Sequence, residues 1–410
     1  MSFNHTPTAN RLHIAFFGKT NAGKSSMINA VTGQDIAIVS PVEGTTTDPV
    51  YKSMELLPLG PVTMIDTAGL SDTSVLGELR KDKTLDVLNK TDIAVLVVDA
   101  TETNVKEEKE ILHIIQEKGI PILGVINKMD LVTNAEETQA IFEKNLGIPL
   151  LPLCAFEKKS INHFKTALAK TTPTEEDKFK IVGDLISPGD MVILVVPIDK
   201  SAPKGRLILP QQQTIRDILE NDAMAIVTKE VELRETFSKL AAKPKLVITD
   251  SQAFLKVAAD TPKDILMTSF SILFARYKGD INTLVSGAKK IAHLQDGDEI
   301  LIAEGCTHHR QSDDIGTVKI PRWLRQLTGK QLNFTHVAGT EFTKDITKYA
   351  LVVHCGGCML NQRAMLYRLS IATQYNVSVV NYGILIAYVH GILDRALEPF
   401  PLAKMLWNKE

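Results

Sequence analysis

Three short motifs, in chain order, carry the chemistry of phosphate and base recognition. Gly18-Lys19-Thr20-Asn21-Ala22-Gly23-Lys24-Ser25 sets two glycines with four residues between them ahead of a Lys-Ser pair. Such glycines let backbone N–H groups curl around phosphate oxygens, and a following helix adds partial positive charge at its N-terminus. Lys24 would bring a full charge to the β- and γ-phosphates, and the Ser25 hydroxyl suits Mg²⁺. Asp66-Thr67-Ala68-Gly69 comes second. An aspartate there holds Mg²⁺ through water, and the Gly69 N–H can meet the γ-phosphate. Asn127-Lys128-Met129-Asp130 comes third. A carboxylate at Asp130 accepts two hydrogen bonds from the N1 and N2 edge of guanine, a donor pair that adenine lacks. Asn127 would hold the loop and the N7 side of the base. Each motif alone has a plain alternative, a glycine-rich turn or a strand-end loop. The three in this order point to GTP.

A second group lies near the other end. Cys306-Thr307-His308 is followed by His354-Cys355-Gly356-Gly357-Cys358, and the only other cysteine is Cys154. Thiolates two residues apart across glycines can grip one metal centre, because the loop wraps it closely. Three readings stay open: a closed Cys₃His zinc site, an iron–sulfur cluster with a replaceable fourth position, or buried cysteines without metal. In the cluster reading no fourth cysteine is at hand, so His308, His354 and Glu304 are the candidate fourth ligands. Oxygen or imidazole binds iron more weakly than thiolate and is exchangeable. Either histidine could instead hydrogen-bond a sulfur from outside the ligand set, and Glu304 could be an ordinary loop carboxylate. His309 and Arg310 add positive character to the loop, or simply a solvated face.

These residues need strands and helices to place them. Leu12 to Phe17 is a short apolar run ending in glycine, with a helix expected over Ser25 to Val31. Thr63 to Ile65, Ile93 to Val98 and Ile122 to Ile126 read as buried strands, and Lys106 to Lys118 as a helix stopped at Gly119. Strands separated by helices imply a doubly wound parallel sheet. The polar run between Lys170 and Lys180 reads as a linker. Beyond it, strands are expected at Met191 to Val196, Met224 to Val227, Lys245 to Ile248 and Ile265 to Met267. Helices are expected at Gln213 to Asn221, Leu233 to Leu240 and Gln252 to Ala258. A third region has strands at Ile300 to Ala303, Phe334 to Val337, Tyr349 to Val353 and Val377 to Val380, and helices at Arg363 to Gln374 and Ile384 to Leu393. Both cysteine motifs follow strands; if these are parallel, both emerge at one sheet end, where α/β sheets bind ligands. The expected fold is α/β throughout: a P-loop domain over 1–172, then α/β domains over 180–264 and 265–410 with mainly parallel sheets.

Composition narrows the classes. The 410 residues carry 46 Lys plus Arg against 48 Asp plus Glu, so no global field holds nucleic acid. No apolar run reaches the ~18 residues of a membrane span. Met1 to Asn10 lacks the apolar core of a secretory signal, and four cysteines make no disulfide framework. The expectation is a cytoplasmic protein without membrane or nucleic-acid partners.

The first three motifs resemble the translation-factor-like GTPases, in the branch of Era and the tRNA-modifying GTPase. Gly44-Thr45-Thr46-Thr47-Asp48 is similar to that branch's first switch, with Thr47 in place of the usual Arg. The resemblance implies a Mg²⁺-ligating role for Thr46 and a K⁺-binding role for Asn21. It also implies a base-backing loop at Cys154 and Ala155, with Cys154 where the branch carries Ser. The nucleotide-binding set is then Asn21, Ala22, Gly23, Lys24, Ser25, Ser26, Asp66, Asn127, Lys128, Asp130, Cys154 and Ala155, with Lys24, Thr46 and Gly69 catalytic. Leu70 stands where Ras-like proteins carry a water-orienting Gln, so intrinsic hydrolysis is expected to be slow and K⁺-stimulated.

The GTPase motifs, a middle region and the two cysteine motifs together resemble the HydF family of [FeFe]-hydrogenase maturation GTPases. That resemblance implies a [4Fe–4S] cluster on Cys306, Cys355 and Cys358. It implies a scaffold that receives a transient di-iron precursor made with the radical-SAM maturases HydE and HydG and delivers it to apo-[FeFe]-hydrogenase. It also implies a homodimer formed through the middle region. The alternative is a tRNA-modification or Era-like GTPase with a structural zinc site. The former would predict helical segments flanking the GTPase, the latter a basic RNA-binding domain with a Gly-x-x-Gly loop.

Overall fold

The near-continuous apolar runs of the first half become the centre of a six-stranded sheet. The computed structural model describes residues 7–33, 48–69, 83–172, 180–197, 207–305, 314–339, 342–343 and 345–409, and the chain divides into two units, Met1–Lys178 and Phe179–Glu410. In the first unit the strands are β1 (Leu12–Phe17), β2 (Val50–Leu56), β3 (Gly60–Asp66), β4 (Ile93–Asp99), β5 (Ile122–Asn127) and β6 (Leu150–Pro152). Their spatial order is β2-β3-β1-β4-β5-β6. All pairings are parallel except β2 with β3. β4 is buried along its whole length, as a central strand covered on both faces must be. β2, at the edge, alternates exposed and half-buried residues, and the sequence reading did not anticipate it.

Two core layers flank the sheet, one around Phe16, Met27 and Phe164 and the other around Phe17, Ile111 and Phe142. The helix Lys24–Thr32 opens directly from Gly23 and stops at Gly33, whose φ of 67° is left-handed. The helix Ala135–Leu146 is capped by the Asn134 side chain, which accepts from Glu137 N–H, and ends at Gly147. Because β1, β3, β4 and β5 are parallel, the residues that follow them gather at one sheet edge. All three nucleotide motifs lie there.

The second unit holds two four-stranded parallel sheets. The first contains β7 (Met191–Val195), β8 (Met224–Thr228), β9 (Leu246–Thr249) and β10 (Leu266–Ser269) in the order β10-β9-β7-β8. The second contains β11 (Glu299–Glu304), β12 (Asn333–Ala338), β13 (Leu351–His354) and β14 (Ser378–Asn381) in the order β12-β11-β13-β14. One hydrophobic core runs through both, from Val192 and Ile248 to Ile302 and Val353. The helix Tyr382–Val389 is apolar on every side and buried, as an interior helix must be. Each of its Ile and Leu side chains contributes about 1.5–3 kcal/mol. The helix Ile281–Ala288 lies so close to β14 that a Cβ on Gly287 would stand 1.9 Å from the Val379 carbonyl oxygen, so only glycine fits. Arg395 donates to the carbonyls of Ala258, Thr261 and Pro262, tying the C-terminal helices to the first sheet.

β11 and β13 are adjacent and parallel, with Ala303 opposite His354. The two cysteine motifs therefore follow strands that end at the same sheet edge. Among the described residues no helix is long and apolar enough to cross a membrane.

Candidate functional site

The phosphate loop is shaped by backbone conformations that few residues tolerate. Gly18, Asn21 and Gly23 have φ of 149°, 64° and 94°. A Cβ on Gly18 would lie 2.2 Å from the Val97 carbonyl oxygen of β4, and one on Gly23 would lie 2.1 Å from Asn127 Nδ2. Asn127 Nδ2 donates to the Ala22 carbonyl at 3.0 Å, so the third motif braces the first. Gly69 presses on the loop from the other side: a Cβ there would fall 2.6 Å from the backbone N and Cα of Thr20. Thr67 Oγ1 donates to the Phe16 carbonyl at 2.6 Å and holds this turn to β1.

Lys24 is buried, and Nζ donates to the Gly18 and Lys19 carbonyls at 2.9 and 2.7 Å. Burial lowers its pKa to about 8, against the pull of Asp66 and Glu108. Ser25 Oγ donates to Asp66 Oδ2 at 2.5 Å. Asp66 Oδ1 is buried and has no hydrogen-bond partner among the described residues. Burial raises the Asp66 carboxyl above its ordinary range, with Ser25 and Lys24 pulling the other way. An orphaned carboxylate oxygen beside a hydroxyl is a donor set that suits a hard cation such as Mg²⁺. Ser26 follows within the same helix, Lys24–Thr32.

The base-recognition residues meet at the ends of β5 and β6. Lys128, at φ 63°, sends Nζ to Asp99 Oδ2 at 2.5 Å. Burial would raise the Asp99 carboxyl, but Lys128 and Thr101 hold it below its usual range. Asp130 is exposed. The Cys154 thiol hydrogen-bonds its carboxylate; burial first, and then Asp130, raises the thiol's pKa. Met129 N–H donates to the Leu153 carbonyl at 3.3 Å, and Ala155 is buried in the core behind. The structure thus brings Cys154 to Asp130. Thr46 and Leu70 lie outside the described residues.

Sequence reasoning passed over Lys19. Its Nζ reaches Glu102, Glu107 and Glu108 at 3.4, 3.3 and 3.9 Å, fastening the phosphate loop to the start of the helix Lys106–Glu117. Burial opposes its charge, yet the three carboxylates raise its pKa overall.

At the edge formed by β11 and β13, Cys355 Sγ accepts from Gly305 N–H at 3.1 Å and from Gly357 N–H at 3.4 Å. Burial raises the Cys355 thiol while these two amides oppose the rise. Among the described residues neither Cys355 nor Cys358 is in a disulfide. Cys306 and His308 lie outside the described residues, as do His309 and Arg310. Glu304, the last residue of β11, is buried, and Tyr382 Oη donates to its Oε1 at 3.1 Å. Burial and then Glu304 push the Tyr382 hydroxyl well above its ordinary value.

His354, the last residue of β13, is buried. Its Nε2 meets Arg368 Nη1 at 2.9 Å, and its Nδ1 meets the Cys355 carbonyl at 2.8 Å. Arginine only donates, so Nε2 accepts and Nδ1 carries the proton. Both ring nitrogens are therefore engaged, and the imidazole is held against the Cys355 backbone. Burial, then the Arg368 charge, lowers its pKa to about 3. Among the described residues no cluster of three or more ligating side chains is assembled. Two amides aimed at one sulfur still suit a thiolate that carries anionic charge.

Comparison with known proteins agrees with this layout. A sequence-family model of the hydrogen maturase F dimerization domain matches residues 181–279, and one of the hydrogen maturase F tetramerization domain matches 282–399. The chain belongs to the HydF family. Its first unit carries a GTPase domain: a model of the 50S ribosome-binding GTPase family matches residues 13–128. GTPase Der of Kosmotoga olearia is 35% identical over 142 residues, covering 33% of this chain and 32% of that protein. GTPase Der of Persephonella marina is 32% identical over 186 residues, covering 42% and 40%. The chain thus spans only about a third to two-fifths of the length of these relatives. Among solved structures, Era in complex with MgGDPNP and a segment of 16S ribosomal RNA is 20% identical. It covers 58% of this chain and 98% of its own, with a TM-score of 0.37. In a HydF-family chain, Gly305 at Cys355 and the Cys355–Cys358 loop form the edge that merits a metal test.

Proposed function

We propose that this HydF-family chain hydrolyses GTP in its first unit and serves hydrogenase maturation as a scaffold and carrier. In this reading Cys306, Cys355 and Cys358 hold a [4Fe–4S] cluster. A di-iron precursor received from HydE and HydG rests there before passing to apo-[FeFe]-hydrogenase. The working form is a homodimer or a larger assembly built through 181–399, in keeping with the names of the two matching families.

One observation carries the cluster reading. Gly305, the residue immediately before Cys306, donates its N–H to the sulfur of Cys355 across adjacent parallel strands. Two motifs separated by some 50 residues therefore start from one point. The nucleotide reading rests on Asn127 bracing the phosphate loop and on the Ser25–Asp66 pair. Lys24 binds phosphate, Gly69 N–H faces the γ-phosphate and Asp130 selects guanine. GTP supplies no electrons to a cluster, so its role is that of a switch: loops around the γ-phosphate order with GTP and release on hydrolysis, altering how partner proteins dock.

The test is anaerobic purification of the full chain with iron, sulfide and zinc analysis and EPR, on the native protein and on Cys306→Ala. The expected result is a brown protein with iron and sulfide that loses the cluster signal in the variant. A colourless protein holding stoichiometric zinc would replace the carrier reading with that of a zinc-stapled GTPase. Maturase binding that is identical with GTP, GDP and no nucleotide would remove the switch.

A further inference from the structure

The helix Phe270–Lys278 ends against the cysteine loop, and its last side chain, a basic group of the kind that suits a helix C-terminus, is buried there. Lys278 is 2% exposed. Its Nζ donates to three carbonyls of one loop, those of Gly357 at 3.1 Å, Cys358 at 3.1 Å and Leu360 at 2.6 Å. An ammonium has three N–H donors, whereas a neutral amine has two and a lone pair that would face a carbonyl oxygen. Three carbonyl acceptors around one nitrogen match the ammonium form.

Among the described residues no carboxylate pairs with that cation. A buried ammonium without a counter-ion is costly, and proteins rarely keep one unless an anion completes the site. Burial lowers the Lys278 pKa to about 8, and negative charge on Cys358 and Cys355 pulls the other way, toward the ammonium. Arg368, itself buried and hydrogen-bonded to His354 and to the Gly339 carbonyl, is the other cation whose charge Cys355 favours.

Lys278 also crosses a family boundary within this unit. It belongs to the segment matched by the dimerization domain, while the loop it holds belongs to the segment matched by the tetramerization domain.

We infer that Lys278 is the built-in counter-charge and positioning residue of the Cys355–Leu360 loop, fixing its carbonyls and compensating the anionic iron–sulfur group that Cys355 and Cys358 help to hold. This rests on the cluster reading above. A positive charge near a cluster favours its reduced, more negative form and slows loss of iron. Lys278→Gln keeps a donor but loses the charge; Lys278→Arg keeps the charge.

The experiment uses the full chain, reconstituted anaerobically with iron and sulfide. It reads the midpoint potential by EPR-monitored titration, iron release to a chelator and the melting temperature of each variant. Lys278→Gln is expected to shift the reduction equilibrium about tenfold toward the oxidised cluster, about 59 mV more negative for one electron. It should also release iron several-fold faster. Lys278→Arg should stay within about threefold of the native protein. Cluster uptake by Lys278→Arg but not by Lys278→Gln also supports the inference. A Lys278→Gln protein with native potential and native iron release overturns it, and so does equal impairment of the two variants, because charge would then not be what matters. A native chain that takes up no iron at all removes the cluster reading itself and this inference with it, an outcome distinct from any pattern among the variants.

Discussion

Alanine at Gly23 separates two effects that usually travel together, backbone strain and the loss of a particular contact. Gly23 has φ of 94°, and its absent Cβ would lie 2.1 Å from Asn127 Nδ2. Gly33, at the other end of the same helix, has φ of 67°, and none of the described residues comes within 4 Å of its Cβ position. Both substitutions add left-handed strain of about 1–2 kcal/mol, which appears as lost stability. Only Gly23→Ala displaces Asn127 from the Ala22 carbonyl, a buried bond of 3.0 Å. Leaving that carbonyl unpartnered costs about 1–3 kcal/mol, felt where the loop must hold its phosphate-binding shape. Titration with a fluorescent guanine nucleotide should show Gly23→Ala weakened roughly 5- to 150-fold relative to native, with Gly33→Ala within about twofold, both melting lower. In an Asn127→Ala background the added binding penalty of Gly23→Ala should shrink, since the contact is already gone. Equal binding losses at the two glycines would mean that strain, not the Asn127 brace, governs the loop.

Other perturbations probe neighbouring parts of the molecule. Hydrolysis should run faster in K⁺ than in Na⁺. Asn21→Gly, which accepts the 64° φ but lacks the amide, should abolish that difference in a phosphate-release assay; equal native rates in both salts would sink the potassium role. Asp130→Asn removes charged acceptors worth about 1.5–3 kcal/mol each, so competition binding should show GTP-over-ATP preference falling at least about tenfold. His354 is held neutral, its pKa lowered to about 3 from 6.5. The unfolded chain therefore binds the extra proton between those values, and stability falls as pH drops below 6.5. For the metal-free chain this amounts to about 2 kcal/mol by pH 5, seen in denaturant melts as an acid-side slope that His354→Asn lacks.

What could be read from the sequence follows from how each site is built. The nucleotide site is made of contiguous segments that each follow one strand, so type and spacing disclosed it before any packing was known. The same held for the paired cysteine motifs, whose emergence at one sheet end needed only that Ile300 to Ala303 and Tyr349 to Val353 lie parallel; β11 and β13 do. Buried parallel strands announce themselves as apolar runs, and those in the second unit fall within a residue or two of where the runs lie. β2 was illegible because an edge strand carrying Lys52, Ser53 and Glu55 has no such run. The last long buried helix starts at Tyr382, earlier than its Ile-rich stretch suggests. Asn381 caps it by accepting from Gly383 N–H at 2.7 Å, a local bond that hydropathy does not register.

The charges that matter most were the least legible, and for one physical reason. Lys19, Lys278 and Arg368 all read in isolation as solvated side chains, Lys278 as a favourable basic residue at a helix C-terminus. Each is buried because another segment of the chain closes over it. Glu102 to Glu108 cover Lys19, the loop from Gly357 to Leu360 covers Lys278, and β13 brings His354 to Arg368. The cost of burying a charge depends on its partners, and partners some 80 residues away for Lys19 and Lys278, and 14 and 29 residues away for Arg368, are fixed by sheet order rather than by spacing along the chain. Lys19 met carboxylates and so reads as fastening the phosphate loop. Lys278 met carbonyls, the Phe274 ring and two cysteines, and no carboxylate among the described residues. That difference is why Lys19 reads as a matter of stability, while Lys278 bears on the proposed cluster.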